Sequence, residues 1–418
     1  MTDPAWIDLA LSSARPQALG ALLRYFRNLD VAEEAFQEAC LRALKTWPEK
    51  GPPRDPVAWL IFVGRNSGID SVRKQSKMQS LPDEEVISDT GDAESDLADR
   101  LDGSNYRDDI LRLLFICCHP DLPATQQIAL ALRIVSGLSV AQIARAFLVS
   151  ESAMEQRITR AKARVAAAGT PFETPGAVER AERVALVSAM IYLIFNEGYS
   201  SGGPGRETSA FAEEAIRLGR LLLRIFPAEP EIMALLALML LQQSRADARF
   251  TEQGQIILLE EQDRTLWNRK LIDEALALLD KALRHRLPGT YQVQAAIAAL
   301  HSRAKRAEDT NWAEIDLLYQ TLERLQPSPV VTLNRAVAVA KLKGPEEALA
   351  LIEPLAERLD GYFYFHGLRG GLLMQMGDYR DAHCCFDRAI ALARSPAEAE
   401  HIRHQLDKLS ATAPVLTK

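Results

Sequence analysis

Apolar residues near the N-terminus recur every three or four positions, which is the period of a helix with one buried face. One such stripe covers residues 19–26, and a second begins after a break at residues 28–30. The second stripe consists of Ala35, Phe36, Ala39, Cys40, Leu44 and Trp47. Asp30 is placed to cap the second helix, and Glu33 follows at the spacing of a capping box. The pattern therefore predicts two consecutive helices.

Prolines and a capping residue mark where the third helix begins. Four prolines fall within residues 48–56 and should end the second helix, because proline removes a donor and fixes φ. Asp55 directly precedes Pro56, and a cap followed by proline is typical of a helix start. Residues 57–77 begin almost entirely apolar and end in cations, with Asp70 as the one acid. We predict a helix with a buried first half and a basic second half.

Residues 138–165 have the pattern of two short helices joined by a tight turn. The first covers about 139–147, and Ser150 is a suitable cap for the second, with Ser152 as an alternative. The second helix would bury Met154, Ile158, Ala161 and Val165. Its opposite face would be turned towards solvent or towards an anion. That face carries Gln156, Arg157, Arg160, Lys162 and Arg164. This is the helix-turn-helix pattern, whose second helix lies in the DNA major groove.

The distribution of charge favours DNA binding over the alternative of an ordinary hairpin with a solvated basic face. Between residues 133 and 164 six cations stand against two acids, whereas the whole chain has a net charge of −7. A protein with that balance does not coat nucleic acid, so any nucleic-acid interface must be local. Glutamine can pair with adenine and arginine with guanine, and the later cations suit phosphates.

Composition changes on either side of this region. Residues 81–102 contain nine acids against Arg100 alone, which predicts a self-repelling linker. The back half carries a repeat of small and apolar residues typical of tetratricopeptide units. Its members are Ala382, Phe386 and Ala389; Ala348 and Ile352; Ala275, Leu279 and Ala282; Ala313 and Leu317; and Ala215 and Leu222. Stacking such helix pairs buries a continuous core, and a generic helical bundle is the alternative.

The overall composition excludes several other classes. With 418 residues, 48% apolar and 25% charged, the chain is long enough for two or three domains. Its five cysteines lack zinc spacing, so we predict buried apolar thiols, no metal site and no cofactor. Neither a secretory signal nor a run of about 20 apolar residues is present, which predicts a cytoplasmic protein without a membrane span.

Several motifs in the first half resemble those of the extracytoplasmic-function sigma factors of the sigma-70 family. They are AEEAFQEA at 32–39, DPVAWL at 55–60, RNSGID at 65–70 and RITRA at 157–161. The resemblance implies that the acidic helix docks on the β′ clamp helices of bacterial core RNA polymerase. It also implies that the following helix recognises and melts the −10 promoter element. The helix-turn-helix would bind the −35 element and the β flap.

The resemblance assigns roles to individual residues. For polymerase docking it implies Glu34, Gln37 and Glu38. For the −10 element it implies Arg65, Asn66, Asp70, Arg73 and Lys74. For the −35 element it implies Gln156, Arg157 and Arg160, and the helix-turn-helix pattern adds Lys162 and Arg164. Trp59 is a further −10 candidate. Its ring either contacts bases or lies in the core, and its position in the sequence favours the core.

Typical members of this family end near residue 170, whereas this chain continues. Some members carry a C-terminal extension with helical repeats, and residues 191–199 and 259–264 resemble theirs. The predicted fold is all-α. Its expected domains are sigma region 2 at 10–80, an acidic linker at 81–105, sigma region 4 at 106–168 and a tetratricopeptide-like domain at 172–418. The last would regulate the sigma core or recruit a protein partner.

Three functional hypotheses follow. The first is a sigma factor with a built-in regulatory domain, and the second is a stand-alone helix-turn-helix regulator with a helical-repeat sensor. The third is a helical enzyme, for which Asn196, Glu197 and His366 are the candidates, but no paired carboxylates or nucleophile–base set support it. An operator-binding repressor has no need of the polymerase-docking residues. We therefore predict a non-enzymatic sigma factor.

Overall fold

The structure is a computed structural model, and it confirms the all-α fold class. It describes residues 5–51, 53–76, 103–147, 149–168, 177–200, 206–393 and 396–412. Within these ranges one isolated antiparallel bridge, between Phe250 and Ile256, is the exception to helices and turns. None of the helices in these ranges is long and apolar enough to cross a membrane. The predicted acidic linker lies for the most part outside the described residues.

The chain forms two compact units, residues 1–194 and 195–418. The first contains α1 (Ala5–Phe26), α2 (Leu29–Lys50), α3 (Pro56–Ser76), α4 (Gly103–Cys117), α5 (Ala124–Ile134), α6 (Val140–Ala146) and α7 (Glu151–Ala167). Helix α8 (Ala177–Ser200) continues past the end of this unit. Helices α1, α2 and α3 pack against one another, α4 packs on α1, and α7 packs on α5 and α6. The apolar stripes read from the sequence supply this core.

Local hydrogen bonds set the helix starts, and both the start and the end of α2 differ from expectation. Asp55 caps α3 as predicted, because its Oδ1 accepts from the N–H groups of Val57 (2.9 Å) and Ala58 (3.1 Å). The cap of α2, however, is Asn28 rather than Asp30. Its side-chain oxygen accepts from the next turn, which leaves the Asp30 carboxylate free for another partner. Helix α2 also continues through Pro48 and ends at Lys50.

The second unit is a succession of helices that pack on their neighbours in the chain. They are α9 (Arg206–Ile225), α10 (Pro230–Gln243), α11 (Arg269–Leu283), α12 (Thr290–Arg303), α13 (Trp312–Leu325), α14 (Pro329–Lys343), α15 (Pro345–Ile352), α16 (Ala356–Leu359), α17 (Phe363–Gln375), α18 (Tyr379–Leu392) and α19 (Pro396–Thr412). Short turns join most of them, so consecutive helices form hairpins. This arrangement is what stacked helical repeats require.

Most of the predicted repeat residues lie in the core of this unit, but one pair does not. Ala382, Phe386 and Ala389 are buried, as are Ala348, Ile352, Ala275, Leu279, Ala282, Ala215 and Leu222. In α13, Ala313 and Leu317 are exposed instead. Neighbouring helices pack on the face that carries Ile315 and Leu322, which join Val293 in one apolar cluster. The predicted face of α13 was therefore wrong.

The cysteines follow the predicted pattern with one exception. Cys117, Cys118 and Cys385 are buried, and Cys40 is half-buried. Burial raises the pKa of Cys40 to about 11, so its thiol stays protonated at neutral pH. Cys384 is exposed, because it lies on the outer face of α18 next to the buried Cys385.

Two adjacent glycines in α17 allow a matched test of this packing. A Cβ on Gly370 would lie 2.7 Å from a ring carbon of Phe386, whereas a Cβ on Gly371 meets nothing within 4 Å. We expect Gly371→Ala to stabilise the protein by about 0.5–1 kcal/mol, because alanine favours helix. We expect Gly370→Ala to destabilise it by about 1–3 kcal/mol through overpacking. Thermal unfolding measures both, and equal effects would contradict the close approach of α17 and α18.

Candidate nucleic-acid and partner interfaces

Helix α7 has the features of a DNA-recognition helix. Ser150 caps it, as predicted, by accepting from the Ala153 N–H (3.3 Å), and Ser139 forms a capping box at the start of α6. The predicted apolar stripe of α7 is buried. Gln156, Arg160 and Arg164 are exposed and Arg157 is half-exposed. These four side chains are available to a ligand such as DNA.

Lys162 differs from the other cations of α7 because it is already paired within the protein. Its Nζ lies 2.7 Å from Glu33 Oε2 and 2.9 Å from Asp30 Oδ1, both on α2. Burial alone would lower the pKa of Lys162, but its hydrogen bonds to Glu33 and Asp30 raise that pKa above its ordinary value. Lys162 therefore stays charged and joins the recognition helix to α2.

Glu33 is the centre of this junction. It is only 5% exposed, and besides Lys162 it faces Arg133 (3.3 Å) and Arg15 (3.7 Å). Arg15 also donates to the carbonyl oxygens of Ile134 (2.9 Å) and Arg133 (3.2 Å) at the end of α5. A cation suits that position, because a helix C-terminus carries partial negative charge. One buried carboxylate thus ties together α1, α2, α5 and α7.

A second buried junction in the first unit joins α1 to α4. Asp109 of α4 is buried and pairs with Arg112 (3.0 Å) and with Arg24 of α1 (3.4 Å). Gly20 lets the two helices approach, since a Cβ there would lie 2.8 Å from the Asp109 carbonyl oxygen. Helix α1, on which both α2 and α3 pack, is therefore packed directly on α4, which precedes the helix-turn-helix in the chain.

A groove of about 280 Å³ lies between α2 and α7. Its walls come from both predicted interfaces. They include Asp30, Glu33, Glu34, Gln37, Arg133, Val140, Glu155, Ile158, Thr159 and Lys162. Glu34 and Gln37, predicted to dock on polymerase, thus face the recognition helix across the groove. Glu38 lies one turn further along α2 and pairs with Arg42 (3.3 Å). The recognition helix therefore borders the predicted docking surface.

The exposed face of α2 that carries the predicted docking residues extends further along the helix than the sequence indicated. Leu41 and Leu44 are 54% and 48% exposed and continue the stripe that begins with Glu34 and Gln37. Leu44 had been expected in the buried stripe, but α2 instead buries Ala43 and Trp47. We name Glu34, Gln37, Leu41 and Leu44 the α2 stripe. Its spacing of three and four residues was the signal that could have identified both leucines.

The second half of α3 presents the −10 candidates. Arg65 and Asn66 are exposed, and the Arg65 guanidinium lies over the ring of Tyr25 at 4.3 Å. Tyr25 is itself 45% exposed, so α1 adds an aromatic ring beside the cation. Unpaired bases stack on such rings, which makes Tyr25 a functional candidate that the sequence did not indicate. Helix α3 continues past Asp70, Arg73 and Lys74, whose side chains lie outside the described residues.

Trp59 lies at the start of α3 in an aromatic cluster. It is half-buried and meets Trp47 edge-on at 5.3 Å between ring centres. Trp47 in turn stacks on Trp6 at 5.9 Å. Trp59 therefore contributes to the packing of α1, α2 and α3, and its exposed part is what remains for contact with a ligand.

The residues considered for an enzyme lie on two different helices, α8 and α17. His366 is buried in α17, with its Nε2 2.8 Å from the carbonyl oxygen of Asp360. Asn196 and Glu197 are half-buried near the end of α8. In the described ranges, no three His, Cys, Asp or Glu side chains cluster as metal ligands would.

Comparison with known proteins gives matches along most of the chain. Residues 11–78 match the family described as Sigma-70 region 2, and residues 112–165 match Sigma-70, region 4. Residues 183–283 match a family of unknown function, DUF6596. The chain is also similar to an uncharacterized protein of Rhizobium meliloti (strain 1021). The identity is 73% over 412 residues, which cover 98% of this chain and 97% of that protein.

Adjacent glutamates on α2 allow a test of the Glu33 junction. Glu33→Ala would leave three cations without their shared carboxylate, so we expect a loss of about 3–5 kcal/mol in the free energy of unfolding. Glu34 is exposed, and Glu34→Ala should change stability by less than about 0.5 kcal/mol. Urea unfolding followed by circular dichroism measures both. Similar losses in the two variants would mean that Glu33 does not organise the first unit.

Proposed function

The chain belongs to the sigma-70 family, and we propose that it acts as an initiation factor that delivers core RNA polymerase to promoters. In this role the α2 stripe and Glu38 bind the β′ clamp helices. The basic half of α3 recognises and melts the −10 element, and α7 reads the −35 element while its domain contacts the β flap. The protein is then a non-enzymatic component of the cytoplasmic transcription machinery.

The observation that carries this proposal is the presence of both sigma regions, in order, on one chain. A stand-alone regulator needs the helix-turn-helix but has no use for region 2, so the region 2 match favours the sigma factor. The exposed side chains support the division of roles. Arg65 beside Tyr25 suits an unpaired strand, and Gln156, Arg157 and Arg160 at the start of α7 suit base edges.

Promoter binding requires the first unit to open. The −35 and −10 elements are about 25 base pairs apart by their names, which corresponds to roughly 85 Å at 3.4 Å per base pair. In the first unit, by contrast, Lys162 of α7 lies 2.7 Å from Glu33 of α2. Both elements cannot be engaged while that pair is formed. We propose that the ion pairs of Glu33 and Asp30 hold a closed form that polymerase and promoter DNA must separate.

The C-terminal helical domain is proposed to control this transition or to recruit a protein partner. It matches in part a family of unknown function, and stacked helices offer an extended binding surface.

In vitro transcription with bacterial core polymerase tests the proposed function. The full-length protein should direct initiation from a promoter that core polymerase alone does not use. Glu34→Arg and Leu41→Glu should each reduce initiation at least about tenfold, because a reversed charge or a buried carboxylate opposes docking. Polymerase binding is measured in parallel by co-sedimentation.

Two variants separate docking from DNA recognition. Glu49→Arg changes an exposed residue in the last turn of α2, beyond the α2 stripe, and should initiate normally. Arg157→Ala should retain polymerase binding but lose about 1–3 kcal/mol of affinity for the −35 element if it reads a base. If the wild-type protein binds DNA but neither it nor any variant supports initiation, the stand-alone regulator is favoured.

The closed form makes a second prediction. The Asp30 side chain is 73% exposed and its described ion pair is with Lys162, so Asp30→Asn weakens the closed form without changing α7. An exposed pair contributes about 0.2–1 kcal/mol, and initiation should therefore rise by up to about fivefold. Glu49→Gln removes the same charge elsewhere on α2 and serves as the control. If Asp30→Asn behaves like Glu49→Gln, the ion pair does not restrain initiation.

A further inference from the structure

An irregular segment interrupts the helices of the second unit. Residues 244–268 connect α10 to α11 and contain two short 3-10 helices, Ala246–Ala248 and Arg264–Leu266, but no α-helix. A connection of this length in a compact domain commonly carries function. The segment is held by its own hydrogen bonds. The Asn268 N–H donates to the Ser244 carbonyl oxygen (2.8 Å), and the Ile257 N–H donates to that of Arg249 (2.8 Å).

This segment gathers three half-buried arginines around aromatic rings. Arg249 lies over the ring of Tyr199 at 3.5 Å and donates to the Tyr199 carbonyl oxygen (2.7 Å). Arg245 donates to the Tyr199 hydroxyl (3.2 Å) and lies 6.0 Å from the ring centre of Trp267. Arg264 lies over the same Trp267 ring at 4.7 Å. Tyr199 and Trp267 thus join the three guanidinium groups into one cluster.

The three arginines lack the counter-ions that other arginines of the unit have. None of them forms an ion pair with a carboxylate of the described residues. Elsewhere in the unit, Arg335 pairs with Asp316 (2.7 Å), Arg369 with Glu353 (2.8 Å) and Arg217 with Glu214 (2.6 Å). Among the half-buried arginines that the structure describes in this unit, those of the cluster are therefore the exception.

The partners that the cluster does have leave most of its donors unused. Arg264 donates to the carbonyl oxygens of His301 and Ala304 at the end of α12, and Glu308 and Asp309 act on it from nearby. Those two acids, however, pair with Arg306. Each guanidinium has five N–H donors, and Arg245 and Arg249 each use one. Several charged donors are thus left for a further acceptor.

The positively charged side chains of the cluster repel one another, and this repulsion affects their pKa values. Burial and the neighbouring Arg245 lower the pKa of Arg249. Burial, Arg245 and Arg264 lower the pKa of His301 to about 4, so its ring is neutral at pH 7 and adds no charge. Like charges brought together in a half-buried site cost stability unless an anion compensates them.

We propose that Arg245, Arg249 and Arg264 form a binding site for the oxyanion group of a small molecule, a phosphate or a carboxylate. Arginine suits both groups because its planar fork can bind two oxygens at once. The guanidinium groups lie over the rings of Tyr199 and Trp267, and a contact with the face of a ring does not use their N–H donors. Since the site is half-buried and built on an irregular segment, it fits a small ligand better than a nucleic-acid backbone. The C-terminal domain would then sense a metabolite.

Binding of inorganic anions to the full-length protein tests the site directly. Thermal unfolding and isothermal titration calorimetry are carried out with phosphate, sulfate and citrate at constant ionic strength, so that general screening is the same throughout. We expect at least one anion to raise the unfolding temperature and to bind with 1:1 stoichiometry. A response to phosphate and sulfate but not to citrate identifies a tetrahedral anion, and the reverse identifies a carboxylate.

Arg245→Gln distinguishes a ligand site from a structural cluster. It removes one long hydrogen bond and one of three like charges, so the anion-free protein should keep its unfolding temperature or gain slightly. Its affinity for the anion should fall at least about tenfold, the equivalent of one lost charge-assisted hydrogen bond. Arg245→Lys retains the charge and should fall between the two. Arg220→Gln, which removes an exposed arginine paired with Glu274, is the control and should bind as wild type does.

Several outcomes would overturn the proposal. These are no response of the wild-type protein to any of the three anions, an equal response in Arg245→Gln, or a lower unfolding temperature in Arg245→Gln without loss of binding. A response to a short oligonucleotide but not to inorganic phosphate would assign the cluster to nucleic acid instead. The measurement needs neither polymerase nor a promoter, so its result is independent of the proposed function.

Discussion

In the first unit, one buried carboxylate lies where four helices meet. Glu33 lies at a point where α1, α2, α5 and α7 meet, and each of the other three helices directs a cation towards it. A buried charge costs several kcal/mol in lost hydration unless its partners are close, so these helices are held together wherever Glu33 is ionised and enclosed. Such a pair contributes less to net stability than an apolar contact would, but it specifies which helices meet.

That specificity has a functional consequence. The cation that reaches Glu33 from α7 belongs to the recognition helix, and the groove beside it is bordered by the α2 stripe. In the proposed function, a contact within the first unit would therefore compete with polymerase docking and with −35 recognition. Ion pairs suit the reversible closure that we propose, because polymerase and DNA phosphates would offer the separated charges new partners. An apolar interface would instead have to be exposed to water.

The second unit presents the opposite case. Its helices pack through small and apolar residues, and the half-buried arginines outside the cluster, Arg217, Arg335 and Arg369, have acidic partners. The irregular segment between α10 and α11 differs in both respects, because it is not packed mainly through apolar residues and its arginines lack acidic partners. It places three guanidinium groups against two aromatic rings with backbone and phenol oxygens as acceptors. Cations compensate the buried charge of Glu33, whereas no carboxylate of the described residues forms an ion pair with this cluster, which is why we propose that an anion binds there.

The sequence by itself determined the features that depend on neighbours in the chain. Helical period gave the buried stripe of α7, and short-range hydrogen bonds made Ser150 and Asp55 recognisable as caps. It did not determine the partner of Lys162, because Glu33 lies 129 residues away and no local period links the two. The exposure of Leu44 and the buried face of α13 were likewise decided by which helices pack alongside. Local spacing defines the possible faces of a helix, but tertiary packing selects the face that is buried and pairs its charges.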